Sequence, residues 1–220
     1  MLQSHLQIEL NLHESSLPIF SDVKFSDLSV TALVTNGSAI FSNFFAHIHG
    51  GAVTGKGILD WKNGWKLQGQ LNARNMELQK MFPNMGLSGE LLGEMNILLT
   101  STTLVHFDKS YYLDGSFTAA NGVIAKLDLE STVRFGMRPG VAGHTNFNEL
   151  SGTIRVDSLG QHITVGKLAT VSASSTGNIN LDASKQLSGK LQVEIKSLGS
   201  NKIPLQLSGT LTAPVLQLTR

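Results

Sequence analysis

Leu67-Gln68-Gly69-Gln70-Leu71 carries the pattern on which the fold depends: a glycine with a leucine two positions before it and another two positions after it, and polar residues in between. The phrase Leu-x-Gly-x-apolar occurs six times, and the other copies begin at Leu87, Leu113, Leu150, Leu187 and Leu207. Residues two apart share one face of a strand, so each copy predicts a strand with one apolar and one polar face. A glycine within that face lets the strand bend or lets another group approach its backbone. The repeat therefore predicts a long sheet with one apolar, partly hollow face.

The rest of the sequence continues this alternation between short interruptions. Hairpin signals stand at Asn36-Gly37, Gly50-Gly51, Asn63-Gly64 and Asn121-Gly122. Residues 76–82 before Pro83 and residues 127–134 fit short helices, residues 102–109 fit one helical turn, and residues 136–143 fit a loop. Strands are predicted at residues 5–13, 27–35, 38–49, 52–61, 65–73, 87–100, 111–119, 150–156, 161–169, 172–183, 189–196, 203–211 and 215–219.

The predicted fold class is all-β and mainly antiparallel. We expect a long curved sheet folded into an open trough, with one to three short helices and with edge strands near residues 6–12 and 215–219. A chain of 220 residues can bury a sizeable core, and no low-complexity linker interrupts this one. We predict a single domain over residues 1–220, or two lobes that meet near residues 136–143.

Composition excludes several function classes. Charged residues make up 15% of the chain, below the usual quarter, and the net charge is +1. No cluster of Lys and Arg interleaves with aromatic residues, so we do not expect nucleic-acid binding. Cysteine is absent, so the chain has no disulfide framework and no thiolate metal site.

Two short motifs resemble ligand sites only weakly. Residues 50–56 have the glycine and lysine spacing of a phosphate-binding loop, but Gly57 stands where that loop needs Ser or Thr, and a strand follows instead of a helix. A glycine-rich hairpin explains the segment better. His47 and His49 are spaced to present two imidazoles on one strand face, but no third metal ligand can be placed near them. We interpret them as surface histidines on the outer face of the sheet.

No pattern predicts catalysis. The chain has no Gly-x-Ser-x-Gly motif, and its acidic residues show no glycosidase-like pairing. His106 with Asp108, and His144, lie near breaks in the strand pattern, but their spacing supports no active site. We predict a protein that is not an enzyme, with no catalytic or metal-binding residues and no cofactor.

The N-terminus, residues 1–5, lacks the basic and apolar regions of a signal peptide. No apolar run reaches the ~18 residues needed to span a bilayer. We expect either a cytosolic protein or part of a longer, membrane-anchored chain.

Five segments, in order along the chain, resemble the C-terminal region of the AsmA-like family of envelope proteins, of AsmA and TamB type. They are the Gly-Gly hairpin of residues 45–60, the strand with Asn-Gly and Asp-Leu at 113–129, the Thr-x-Phe-x-x-Leu-x-Gly phrase at 145–152, the Gly-x-Ile-x-Leu strand at 175–182 and the Pro-x-x-Leu-x-Gly-Thr-Leu-x-x-Pro segment at 203–215. The chain departs from the family pattern at His49, where an aromatic residue usually precedes the Gly-Gly pair, and in lacking the family's N-terminal membrane anchor.

The resemblance implies a function in the Gram-negative envelope. Such proteins are anchored in the inner membrane, project a β-sheet into the periplasm and are associated with outer-membrane integrity, and larger relatives are thought to transport phospholipid between membranes. We therefore expect this chain at the periplasmic face of the inner membrane, attached through a segment that the sequence does not contain. Its expected partners are phospholipid or another acyl-chain lipid and envelope proteins at the sheet edges. The family brings no catalytic residues.

The candidate site is a groove along the apolar face of the sheet. The residues predicted to line it are Leu67, Leu71, Leu91, Met95, Ile97, Ile154, Val156, Ile163, Val165, Ile179, Leu181, Leu191, Val193, Ile195, Leu205, Leu207 and Leu211. The same residues would form the closed core of any β-sandwich, and both alternatives stay open here. The rival function is a structural module that binds partner proteins at its sheet edges and carries no lipid.

Overall fold

The computed structural model describes residues 6–17, 20–103, 110–136, 143–199 and 201–219. Within them, thirteen antiparallel strands form one unclosed sheet in which each strand pairs with its neighbours in sequence. The edge strands are β1 and β13, as the sequence predicts, and the all-β fold class is confirmed. The strands are β1 (Leu6–Leu17), β2 (Phe20–Thr35), β3 (Ser38–Ile48), β4 (Gly51–Asp60), β5 (Trp65–Glu77), β6 (Leu87–Ser101), β7 (Tyr111–Ala125), β8 (His144–Asp157), β9 (Gly160–Ala169), β10 (Ala173–Asp182), β11 (Leu187–Ile195), β12 (Ile203–Gly209) and β13 (Pro214–Leu218).

Two short helices interrupt the described strands, close to the two positions predicted for them. Helix α1 (Leu78–Met81) follows β5, and α2 (Leu129–Phe135) follows β7. The Asp128 side chain caps α2 because its Oδ1 accepts the N–H of Ser131 at 2.8 Å. A 3₁₀ turn at Lys196–Leu198, which the sequence pattern did not predict, follows β11.

The Asn121-Gly122 pair is not a turn, so that prediction is wrong. Strand β7 continues through it to Ala125, with Asn121 at φ 51°. A β-carbon at Gly122 would clash with the carbonyl oxygen of Ser88 and with the ring of Phe147. The glycine therefore makes room for a buried aromatic ring and does not reverse the chain. Residues 104–109 and 137–142, within the predicted helical turn and loop, lie outside the described residues.

The glycines of the six repeated phrases share one property. A β-carbon at any of them would lie closer than 3.0 Å to the carbonyl oxygen of a neighbouring strand or turn. This contact would occur at Gly69, Gly89, Gly115, Gly152, Gly189 and Gly209. Of the two roles that the sequence allows for these glycines, close approach of another backbone is the one observed.

The chain divides into two compact units. The first comprises Met1–Met76, Leu92–Gly115 and Val156–Ser158, and the second comprises Glu77–Leu91, Ser116–Arg155 and Leu159–Arg220. The predicted meeting of two lobes near residues 136–143 falls mostly on residues outside the described part of the chain, and it stays a prediction.

The core of the first unit is small. Phe25, Leu28 and Ala46 are its buried members, and the half-buried side chains packed against them are Leu12, Val30, Phe44 and Ile48. These residues belong to β1, β2 and β3 only. On β4 and β5 of this unit, Met76 is the buried hydrophobic side chain among the described residues.

The second unit has a larger core with helical cover. Leu78 of α1 and Leu129 of α2 are buried in it together with residues from β7 to β13. Val193, Ile195 and Leu205 are 0% exposed, and Phe147 is 2% exposed. This arrangement is an ordinary closed core with two helices contributing to it.

Candidate functional site

Strand pairing places one continuous apolar face on β4 and β5 of the first unit. Leu59 lies opposite Leu67, Gly57 opposite Gly69, and Gly55 opposite Leu71. Residues that oppose each other in an antiparallel pair point to the same side of the sheet. The alternating residues, such as Lys56 opposite Gln70, form the other side, which we call the polar side although it also carries the exposed pair Ile40 and Ile58.

The same face continues across β1, β2 and β3. Leu59 of β4 lies opposite Ala39 of β3, and Ala39 lies opposite Val34 of β2. Val34 in turn lies opposite Leu6, the first described residue of β1. We call this surface, from β1 to β5 of the first unit, the apolar face. At ~4.8 Å between strands, its five strands span about 19 Å.

Three glycines lie next to one another in the middle of the apolar face. Gly57 opposes both Gly69 on β5 and Phe41 on β3, and Gly55 opposes both Leu71 and Phe44. The Leu71 side chain covers Gly55, because a β-carbon at Gly55 would lie 2.6 Å from Leu71 Cδ2. Gly57 and Gly69 oppose each other without side chains, and a β-carbon at either would meet only backbone atoms. The face therefore has one point, at Gly57 and Gly69, where side chains are missing from two adjacent strands.

The apolar face is buried along β2 and β3, at Leu28, Ala32, Ala39 and Ala46, and is exposed along β1. On β1, Leu6 is 60% exposed, Ile8 is 42% exposed and Leu10 is 43% exposed. Leu59, Leu67 and Leu71 are half-buried. No helix is found among the described residues of this unit, so no helix of its own covers the face.

Side-chain hydrogen bonds extend the assignment of faces to β6. Asn96 accepts a hydrogen bond from Gln70 at 3.3 Å and donates one to Asp114 at 3.4 Å, which places Asn96 on the polar side. Its neighbours Met95 and Ile97 therefore point to the apolar side, with Leu67 and Leu71. These four predicted groove residues and Val156 belong to the first unit, and all are half-buried.

The other predicted groove residues belong to the second unit, where many are already packed against protein. Six are at most 5% exposed: Val165, Leu191, Val193, Ile195, Leu205 and Leu207. Three half-buried ones pack against that core, namely Leu91, Ile163 and Ile179. Ile154, Leu181 and Leu211 are also half-buried. Side chains with 0–5% exposure leave no surface for a ligand, so we restrict the candidate site to the first unit.

The sequence interpretation omitted several members of the apolar face. Leu59, Phe41, Phe44 and the β1 residues Leu6 and Ile8 were not among the predicted groove residues. Their alternation with polar residues was visible in residues 5–13 and 52–61. The irregular pairing of β3 with β4 between Phe41 and Phe44 hides the pattern on β3, because a bulge shifts the period by one residue.

A polar row lies on the opposite side of the first unit. Asp27 pairs with His13 on one side and with His47 on the other. The distances are 2.7 Å from His13 Nδ1 to Asp27 Oδ1 and 3.2 Å from His47 Nδ1 to Asp27 Oδ2. The hydrogen bonds to His13 and then His47 lower the pKa of Asp27 below its ordinary 3.8.

The described residues offer no metal site. No group of three or more His, Cys, Asp or Glu side chains in them is placed to hold a metal ion. His47 and His49 do not share a strand face, contrary to the prediction, because β3 ends at Ile48. His49, at φ 49°, and Gly50, at φ 81°, form the tight turn to β4. His144 is exposed at the start of β8, and His106 and Asp108 lie outside the described residues.

Comparisons of the chain with protein-family models, with curated proteins and with solved structures find no match. Membership of the AsmA-like family therefore stays a prediction. Among the described residues, no helix has both the length and the apolar character needed to cross a membrane.

Proposed function

We propose that this chain is a non-enzymatic, lipid-binding module of a bacterial envelope protein. On this proposal, the apolar face of the first unit holds the acyl chains of a phospholipid and so contributes to phospholipid transport between membranes and to outer-membrane integrity. The observation that carries the proposal is the apolar face, exposed on β1 and half-buried on β5, with adjacent glycines at Gly57 and Gly69 and no helix among the described residues of the unit.

The energetics favour a lipid over a small polar ligand. Moving an acyl chain into water costs ~0.8 kcal/mol per CH₂, so a chain of sixteen carbons costs roughly 12 kcal/mol. An apolar surface removes much of that cost by simple contact, without a reaction or a catalytic group. The missing side chains at Gly57 and Gly69 would let a flexible chain approach the backbone, and Phe41, which opposes Gly57, would add a large apolar contact area.

The envelope setting of the proposal rests on the resemblance to AsmA-like proteins. Five phrases in the right order support it, and the absence of cysteine agrees with it. An envelope lipid carrier needs an apolar surface with polar surroundings, which matches the division into apolar and polar sides in the first unit.

The test is lipid uptake by adjacent variants on opposite faces of β5. Folded, detergent-free protein is incubated with phospholipid vesicles, separated from them, and the lipid that stays bound is measured by native mass spectrometry. We expect bound phospholipid for the wild type, a loss of about tenfold or more for Leu67→Glu, and no change for Gln68→Glu. Circular dichroism and melting temperature check that both variants fold.

Two outcomes contradict the proposal. A folded wild type that carries no lipid after purification and takes none from vesicles rules out the module as a lipid binder. Equal uptake by the wild type and by folded Leu67→Glu places the lipid away from the apolar face.

A second candidate function is a structural module that binds partner proteins by sheet-edge pairing. It is favoured by the edge position of β1, whose Leu6 and Ile8 are exposed. Under this function the folded protein takes up no lipid. Binding of a partner would then fall when a charge is placed on the edge, as in Ile8→Lys, and would not change in Leu67→Glu.

A further inference from the structure

Three exposed apolar side chains meet at one end of the second unit. Phe135 ends α2, Val171 lies in the turn between β9 and β10, and Leu198 ends the 3₁₀ turn after β11. They are 62%, 79% and 47% exposed, respectively. We call these three residues the apolar tip.

Hydrogen bonds tie the three segments together. Arg134 Nη2 donates to Ser197 Oγ at 2.7 Å, which joins the end of α2 to the 3₁₀ turn. Lys196 Nζ donates to the carbonyl oxygen of Val171 at 2.7 Å, and the Lys196 N–H donates to that of Ser172 at 2.9 Å. The apolar tip is therefore one surface built from three neighbouring segments of the chain.

The turn at Val171 is held in a fixed conformation. Thr170 Oγ1 accepts the N–H of Ser172 at 3.2 Å and the N–H of Ala173 at 2.8 Å. The Ser172 hydroxyl donates to Glu130 of α2. These hydrogen bonds hold in place the turn that carries the exposed Val171 side chain.

Two members of the apolar tip are each followed by a glycine. Gly136 follows Phe135 and Gly199 follows Leu198, and a β-carbon added at either glycine would meet no heavy atom within 4 Å. Exposed apolar side chains grouped in this way usually mark an interaction surface.

Basic residues surround the apolar tip. Arg134 and Lys196 take part in the hydrogen bonds above, and Lys202 is exposed just before Ile203, which pairs with Val193 near the end of β11. Of the acidic residues nearby, Glu130 is paired with Arg134 at 2.8 Å and Glu194 is half-buried. Because Arg134 and Glu130 neutralise each other, the charges that remain beside the tip are those of exposed Lys196 and Lys202 and of half-buried Glu194. The tip therefore combines exposed apolar side chains with two exposed lysines.

We propose that the apolar tip docks on the surface of a lipid bilayer that contains anionic headgroups. Apolar side chains at the ends of turns can enter the boundary between headgroups and acyl chains, while the lysine charges stay among the phosphates. In the described part of the chain, the three tip residues lie in a helix, a turn and a 3₁₀ turn, so the tip offers no strand edge to which a partner could add a strand. The inference concerns the second unit alone and does not depend on lipid binding by the first.

The test is flotation of the folded protein with vesicles of phosphatidylcholine that contain phosphatidylglycerol. We expect the wild type to float with these vesicles and the double variant Val171→Ser/Leu198→Ser to bind about tenfold more weakly or worse. Vesicles of phosphatidylcholine alone should bind the wild type several-fold more weakly, since each basic side chain near an anionic surface contributes roughly fivefold. Leu159→Ser is the matched control, because Leu159 is 80% exposed at the opposite end of β9.

Three results would overturn the proposal. The first is a folded wild type that floats with neither kind of vesicle, which is also the result expected if the tip binds a protein. The second is a double variant that floats as the wild type does, which would assign any membrane contact to another surface. The third is an equal loss of flotation in Leu159→Ser. The exposure of the substituted residues means that all these variants should keep the melting temperature of the wild type.

Discussion

The glycines of the repeated phrase allow a sharp test, best made at Gly189 on β11. A β-carbon there would lie 2.5 Å from the carbonyl oxygen of Asn178 and 3.2 Å from the Cα atom of Ile179 on β10. Forcing such overlap into a packed sheet costs about 1–3 kcal/mol. Alanine recovers about 0.5–1 kcal/mol of that because it has less freedom than glycine in the unfolded chain. We therefore expect Gly189→Ala to destabilise the protein by roughly 1–2 kcal/mol.

Gly166 on β9 is the matched control in the same unit. A β-carbon at Gly166 would lie 3.6 Å from the carbonyl oxygen of Ser151 and 3.9 Å from the Cα atom of Gly152, which are ordinary contacts. Alanine at such a site stabilises a protein by about 0.4–1 kcal/mol. Gly166→Ala and Gly189→Ala are thus expected to change stability in opposite directions.

Urea denaturation and thermal melting of the two variants measure the difference. At about 2–4 °C per kcal/mol for a chain of this size, the two melting temperatures should differ by roughly 4–10 °C. If Gly189→Ala is as stable as the wild type with an unchanged denaturant slope, the close approach of β10 does not explain the glycine. If Gly166→Ala loses as much stability as Gly189→Ala, replacing a glycine destabilises the sheet whatever its surroundings. The close approach of a neighbouring strand then does not explain the repeated glycines.

Three further predictions follow from burial and charge. Leu205→Ala, at a fully buried position of the second unit, should lower the free energy of unfolding by about 2–5 kcal/mol, and half-buried Leu67→Ala by about 1 kcal/mol. Urea titration checks both, and equal losses would contradict the distinction between core and apolar face. Ser175→Ala should stabilise the protein by about 1 kcal/mol, because the buried Ser175 hydroxyl has no hydrogen-bond partner, and a large loss of stability would mean that this hydroxyl is needed. Because the pKa of Asp27 is lowered in the folded state, the stability it contributes is present above its ordinary value of 3.8 and is lost as the pH falls below that value. In Asp27→Asn the free energy of unfolding should therefore fall less steeply as the pH is lowered from about 5 to about 2, as measured by denaturation. An unchanged pH dependence would refute this.

The local pattern was enough to predict that the chain is built of successive strands, because alternation, hairpin signals and helix breaks are properties of neighbouring residues. It placed the start of β2 at residue 27 and that of β8 at residue 150, whereas these strands begin at Phe20 and His144. It failed at Asn121-Gly122, where the ring of Phe147 from β8 occupies the space that a side chain would need. That requirement is a long-range contact, and a two-residue turn signal carries no information about it. The sequence shows the glycine at position 122, but it does not show the contact with Phe147 that excludes a side chain there.

The candidate site was predictable only in part. Alternation predicts which side chains share a face, and on that basis both Leu67 and Leu205 were predicted to line the groove. Whether a face becomes a core depends on what packs against it. In the second unit, Leu78 of α1 and Leu129 of α2 close the core, whereas the described first unit has no helix. The apolar tip had no periodic signal at all, because its members lie at the ends of three separate segments.

The order of the strands has a consequence for folding and for evolution. Because each described strand pairs with its neighbours in sequence, the sheet can grow by closing loops between consecutive strands. Strand pairing can therefore begin at any hairpin and spread in both directions, as it does in repeat proteins, whereas the packing of α2 against β11 and β13 must wait for the later strands. Gain or loss of a hairpin would lengthen or shorten such a sheet by two strands and leave the pairing of all the others, and the direction in which each one runs, unchanged.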